Sequence, residues 1–173
     1  MEKDFFSLYN EIAEKTDFSK ANPDNNNNSD LPEGYYLSEL EAFKLGLSST
    51  NKPMVTLQFK VIEGYPIDKE TETHDFSVPK FINKKIWLYF VVDDSKKQLS
   101  FADNMLKFED ENGEAIIDKE IFMDASLLND ALDILLGARI YICITESKNK
   151  DNEKTYWKNM LSWKRVRALE LPE

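Results

Sequence analysis

The most regular pattern in the chain is MVTLQFKVIEG, where Val55, Leu57, Phe59 and Val61 alternate with Thr56, Gln58 and Lys60. Alternation of period two predicts a strand with one buried and one outward face. The preceding GYYLSELEAFKLGL alternates less regularly, through Tyr36, Leu37, Leu40, Phe43 and Leu45, and predicts a strand bent near Glu39. Residues 48–53 between them read as a hairpin loop. A third strand is predicted at KKIWLYFVVDD, where Ile86, Leu88 and Phe90 or Val91 alternate with Trp87 and Tyr89. A strand apolar on both faces is either covered by another element or offers rings to a ligand. ARIYICITE predicts a fourth strand and KTYWKNMLSWKRV a fifth. In the fifth, Tyr156, Lys158, Met160 and Ser162 alternate with Trp157, Asn159, Leu161 and Trp163.

Helical spacing enters in three places. Phe5, Leu8 and Ile12, with Phe6 and Tyr9 beside them, predict a helix over residues 3–16 that packs on the sheet or serves as a partner-binding arm. Residues 95–110, anchored by Leu99, Met105, Leu106 and Phe108, predict a second helix. Residues 126–136 predict a third, with Ser126 as N-cap, Gly137 as C-cap and a wide leucine stripe that demands burial. The run of asparagines within residues 19–31 cannot bury enough apolar surface to order itself and reads as a flexible linker. Residues 64–84 read as a long polar connection holding His74, a surface residue on this pattern.

This order predicts a mainly β protein with helices (α+β). It fits a five-stranded OB-like antiparallel barrel with a helical insert between the third and fourth strands and a helix ahead of it. Closure would hide the strand edges. The divisions are residues 1–18 for the N-terminal helix, 19–31 for the linker and 32–173 for the barrel domain.

Composition narrows the class. Of the 173 residues 42% are hydrophobic and 12% aromatic, as in a folded domain. No apolar run approaches the roughly 18 residues of a membrane span, and the acidic start MEKDFF lacks a secretion pattern. Cys143 is the only cysteine and sits in an apolar run, so it reads as a small core residue in a reducing, cytoplasmic compartment.

The net charge of −10 argues against nucleic acid until its distribution is considered. Residues 1–33 carry −5, residues 34–92 are neutral and residues 93–137 carry −8, while residues 138–173 carry +3. A basic region still attracts phosphate locally when acid elsewhere sets the total, since fields decay over about 8–10 Å. The basic third also holds Trp157 and Trp163. Rings interleaved with cations suit unpaired bases. The ring candidates are Trp87, Tyr89, Tyr156, Trp157 and Trp163. The cation candidates are Lys52, Lys60, Lys84, Lys85, Arg139, Lys158, Lys164 and Arg165.

Other chemistries find less support. Glu146-Ser147-Lys148 and Asp94-Ser95-Lys96 resemble the Glu-x-Lys string of Mg²⁺-dependent nucleases, a string that chance supplies readily in a chain with 31% charged residues. No zinc set can be built from one cysteine and one histidine. No cofactor is expected. The −8 segment at 93–137 also suits an acidic DNA mimic that blocks a host factor.

Several stretches together carry a resemblance: LPEGYYLSELEAF, NKPMVTLQFKVIEG, KKIWLYFVVDD, ALDILLGARIYICI and KTYWKNMLSW. The most distinctive pieces are residues 32–34, 51–64 and 135–137. Over residues 31–165 the chain resembles a phage-encoded family of unknown function that is similar to single-stranded-DNA-binding proteins and occurs among replication and recombination genes. The resemblance implies an OB-like fold and a non-catalytic protein that coats single-stranded DNA in the host cytoplasm. Phage replication or recombination proteins, and further copies of the chain, are the implied partners. The ending LELPE is shorter and less acidic than the partner-recruiting tails of many such proteins.

Overall fold

The computed structural model describes residues 31–68, 70–110, 112–148, 150–151 and 154–172. The predicted N-terminal helix, and the linker up to residue 30, lie outside the described residues. Leu31, the last residue assigned to that linker, is buried in the core.

Strand β1 (Gly34–Leu47) turns at residues 48–52 into β2 (Pro53–Asp68), and the two pair antiparallel along nearly their whole length. Ser48 fixes the turn, with its hydroxyl accepting from the backbone N–H of Thr50 and Lys52. The predicted bend near Glu39 is present as two irregularities in β1, between Leu37 and Ser38 and between Leu40 and Ala42. Such bulges bend a strand and increase its twist. Across its other edge β1 pairs with β5 (Arg139–Lys148) only from Gly34 to Glu39. β5 in turn pairs with β6 (Lys154–Leu161). On the far side of β2 lie β4 (Lys85–Val91) and the two-residue β3 (Thr73–His74).

The result is one curled antiparallel sheet, a half-barrel compatible with an OB-like fold, in the order β3-β2-β1-β5-β6 with β4 also on β2. Between β4 and β5 run α1 (Ser95–Met105), a 3-10 turn (Lys119–Met123) and α2 (Ala125–Leu135). A short α3 (Trp163–Ala168) follows β6.

Alternation decides what each face buries. Val55, Leu57, Phe59 and Val61 of β2, Ile86 and Leu88 of β4, and Ile140, Ile142 and Ile144 of β5 form the main core. Leu132 and Leu135 of α2 and Phe101 and Met105 of α1 close over it. On the outer side of β1 and β5 a smaller core joins Leu37, Tyr65 and Tyr141 to Val166 and Leu171. There the Tyr141 hydroxyl donates to the carbonyl of Pro172, tying the C-terminal segment down.

Several sequence expectations shift. The fifth strand stops at Leu161, because Ser162 caps α3 by accepting from the Arg165 backbone N–H. α2 is capped by Asp124, which accepts from the N–H of Ser126, so the carboxylate takes the role assigned to Ser126. Gly137 follows α2 with φ 88°, the left-handed form suited to its expected capping role. The second predicted helix ends at Met105, five residues short of the expected 110. The supposed polar connection includes the end of β2 and all of β3. His74 is half-buried there, its ring stacked on Phe76 at 5.7 Å and tilted against Tyr35 at 5.0 Å.

Gly64 is where this connection crosses the sheet. Its N–H donates to the carbonyl of Lys80, and the N–H of Lys80 donates back. A Cβ on Gly64 would lie 2.5 Å from the Lys80 oxygen and 2.9 Å from the Tyr36 ring. Gly64→Ala should therefore destabilise the fold by about 2 kcal/mol or more, since backbone cannot yield as a side chain can. Urea unfolding checks this; an unchanged midpoint would show that the crossing is loose.

Candidate nucleic-acid interface

β4 sets the candidate surface. Its inner residues Ile86 and Leu88 are buried, so parity turns Trp87 and Tyr89 outward. Register then fixes their neighbours in rows across the sheet. Tyr89 lies opposite Thr56, which lies opposite Lys44. Trp87 lies opposite Gln58, beside Ala42. Lys85 lies opposite Lys60, then Glu39, then Arg139. Two rings two residues apart on one strand therefore stand beside amide and hydroxyl groups, with cations at both ends. Tyr89 is 57% exposed. Burial of the rest of the ring raises its hydroxyl above the ordinary tyrosine range.

Acid cuts into this face. Glu41, at the second irregularity of β1, takes the Lys85 ammonium on both oxygens at 2.6 Å and the Gln58 amide at 3.0 Å. The Lys85 hydrogen bond holds the Glu41 carboxyl below the usual range. Lys52, in the hairpin turn, is paired with Asp93 at 3.3 Å. Lys60, Lys84 and Arg139 make no ion pair among the described residues.

β6 supplies the opposite lip. Its ladder with β5 puts Met160 and Lys158 on the core side with Ile142 and Ile144, and Trp157 outward opposite Thr145. Trp157 is 63% exposed, its indole N–H donating to the Ser147 hydroxyl at 2.9 Å. Tyr156 is half-buried and packs on the main core. Trp163 lies in α3, edge-on to Tyr141 at 6.3 Å in the smaller core, away from the β4 rings. Lys164 and Arg165 are exposed on the same helix.

Lys158 turns inward despite its charge. Its ammonium donates to the carbonyl of Trp87 at 3.2 Å, crossing from β6 to β4. β4 and β6 form no backbone ladder with each other among the described residues, so this side chain bridges a seam between two strand edges. Lys107, just beyond the end of α1, donates to the carbonyl of Met160 at 3.0 Å and ties that segment to β6. Burial pushes the Lys158 ammonium down to about 8 and lowers that of Lys107 as well. The bridge brings β6 beside Trp87, so Trp87 and Trp157 stand on the two lips of the seam.

The face thus gathers Trp87, Tyr89, Lys60 and Lys85, with Trp157 across the seam. It leaves Tyr156, Lys158 and Trp163 to packing. Sequence reasoning missed Lys44, Thr56 and Gln58 as members and Glu39 and Glu41 as intruding acids. The outward parity of β1 and β2 was the available signal. Of the two nuclease-like strings, Glu146 is paired with Lys154 at 3.5 Å, and Asp94 caps α1. Cys143 lies on the outer side of β5 opposite Tyr35 and Asn159, half-buried, and burial raises its thiol. No group of three or more metal-ligating side chains occurs among the described residues. No known family model matches the chain, and no curated protein matches it either.

Lys158 gives a pH test. Its proton is held less tightly folded than unfolded, so stability is lowest from this group below about 8 and rises from there toward the ordinary lysine value of 10.5. The stability of the wild type relative to Lys158→Met should therefore increase between pH 7 and 9.5 in urea titrations. A constant difference would mean the ammonium is solvated.

Proposed function

We propose that this chain is an OB-like single-stranded-DNA-binding protein of phage type, which coats unpaired strands by base stacking and backbone charge contacts. The observation that carries the reading is the outward pair Trp87 and Tyr89 on β4, with Thr56 and Gln58 beside them and Trp157 on the facing lip. In OB-folds the faces of the second and third strands, with the loops flanking them, bind oligonucleotides. β2 and β4 are the corresponding strands here, and the β1–β2 and β5–β6 connections are the corresponding loops. The sheet order, with β1 between β2 and β5 and with β4 and β6 at facing edges, supports that correspondence. In this reading the sheet is an OB barrel whose last closure, between β4 and β6, is made by the Lys158 side chain.

Each stacked ring contributes about 1–3 kcal/mol per base. Lys44, Lys60 and Arg139 supply the phosphate contacts, and Lys85 joins them once phosphate competes with Glu41. The acids on the face keep affinity moderate. Binding therefore falls with salt, with a slope set by the few phosphates neutralised. No step of bond making or breaking is assigned, and the protein acts in the cytoplasm of the host.

Fluorescence anisotropy with a labelled poly-T oligonucleotide tests the proposal. Trp87→Ala and Trp157→Ala should each weaken binding about 5- to 100-fold with folding intact. Trp163→Ala should instead cost about 2–4 kcal/mol of stability and leave the affinity of the folded fraction unchanged. No binding by wild type would favour the acidic interaction reading of residues 93–137. Cleavage of the oligonucleotide on adding Mg²⁺ would favour a nuclease.

A further inference from the structure

Beside Trp87 the ring-bearing face holds a polar group whose orientation is fixed. Gln58 lies opposite Trp87 on the outer side of β2, half-buried between β4 and β1. A glutamine amide ordinarily reads little, because a half-turn of its terminal torsion exchanges the oxygen and the nitrogen. Here one end is tied. The Gln58 amide nitrogen donates to a Glu41 carboxylate oxygen at 3.0 Å. An ionised carboxylate only accepts, so this contact turns the nitrogen toward Glu41 and the oxygen away from it. Lys85 keeps Glu41 ionised, its ammonium reaching both carboxylate oxygens at 2.6 Å and holding the carboxyl below its usual range.

The Gln58 oxygen has no hydrogen-bond partner among the described residues. No buried side-chain oxygen or nitrogen among them goes unpartnered, so this oxygen is open to solvent. A base seated on Trp87 therefore meets a fixed acceptor. The second amide hydrogen does not serve a base carbonyl equally well. An acceptor bonded to it at about 2.9 Å would stand about 5 Å from the Glu41 oxygen, one acceptor against another. That repulsion grows once Lys85 turns to phosphate and leaves Glu41 without its counter-charge.

We propose that Gln58, oriented by Glu41, makes the Trp87 position selective for bases whose pairing edge carries an amino group, cytosine and adenine, over thymine and uracil. The inference rests on the ring-bearing face being the surface that binds single strands. An exocyclic amino group projects from the ring and carries two hydrogens, so one reaches the Gln58 oxygen and the other remains for the carboxylate side. Thymine and uracil carry their one donor, N3–H, between two carbonyl oxygens, so donation to Gln58 brings a carbonyl toward Glu41. Gln58 is thus the specificity-determining residue and Glu41 a positioning residue. At the neighbouring place Thr56, opposite Tyr89, has a hydroxyl that turns to donate or to accept, so that ring takes any base. The preference is confined to one nucleotide of the bound strand.

Fluorescence anisotropy on the full chain with labelled oligo-dC, oligo-dU and oligo-dT of equal length, at neutral pH, tests this. Cytosine and uracil share one ring size and differ only at the edge in question, so the stacking contribution largely cancels in their ratio. Wild type should bind oligo-dC about 5-fold or more tighter than oligo-dU and oligo-dT. The ratio should hold as salt is raised, because phosphate contacts are common to all three. Gln58→Leu should bring the ratio to about one, with most of the loss on oligo-dC. Glu41→Ala should strengthen binding to every oligonucleotide, by removing an acid and freeing Lys85, and yet lower the ratio, because the amide can then turn. A merely structural role for Glu41 would move all the affinities together and leave the ratio as it was, which would overturn its positioning role. A wild-type ratio near one, or a ratio that survives Gln58→Leu, would overturn the selectivity and leave the stacking face standing. Absence of binding to all three oligonucleotides would overturn both readings.

Discussion

Everything in this sheet turns on where β1 lets go of β5. The two strands share a ladder only as far as Glu39, while β1 continues beside β2 to its hairpin. At the departure the ladder is replaced by two exchanges: the Leu40 N–H donates to Ala138, and the Gly137 N–H donates to Leu40. The two irregularities bracket this point. A strand held on both edges for half its length and on one edge for the rest must twist, and the bulges localise that twist. The curl brings β4 and β6 toward each other and sets Trp87 and Trp157 on facing lips. Without the bulges the sheet would be flatter and the two tryptophans far apart.

The seam itself shows a trade between electrostatics and backbone satisfaction. A carbonyl left unpaired in a buried place costs about 1–3 kcal/mol, and an ammonium taken from water also costs. Lys158 and Lys107 accept the second cost and so avoid the first. An aliphatic residue at 158 would pack against Ile144 but leave the Trp87 carbonyl without this donor. The cation counted as a phosphate contact from charge alone is thus part of the frame that holds a stacking candidate in place.

Much of the frame was legible in the chain. The alternation of Val55, Leu57, Phe59 and Val61, the loop at Ser48 and the bend at Glu39 follow from periodicity and turn chemistry, which act locally. What escaped was decided by competition between local signals or by distant pairing. Residues 162–166 fit a continuing strand by alternation and a helix by the Ser162 cap, and the cap prevailed once Val166 found the smaller core. β3 has two residues and exists only because β2 runs past Gly64 to receive it. At the candidate face the rings and most cations were visible in sequence. The parity of the acids was readable as well, but only the ladder register decides that Glu41 sits against Lys85. The inward turn of Lys158 followed from the parity of β6, but charge had argued the other way.

The three indoles occupy three unlike surroundings: Trp157 largely exposed, Trp87 beside the seam and Trp163 at the start of α3, edge-on to Tyr141. Their emission is therefore a built-in set of reporters at separate places. On exposure alone Trp157 should emit furthest to the red and be open to aqueous quenchers, while Trp163 should sense the packing of the C-terminal segment. A single spectral trace during unfolding sums these signals, so each indole must be isolated by replacing the other two before a shift in wavelength is assigned to one region.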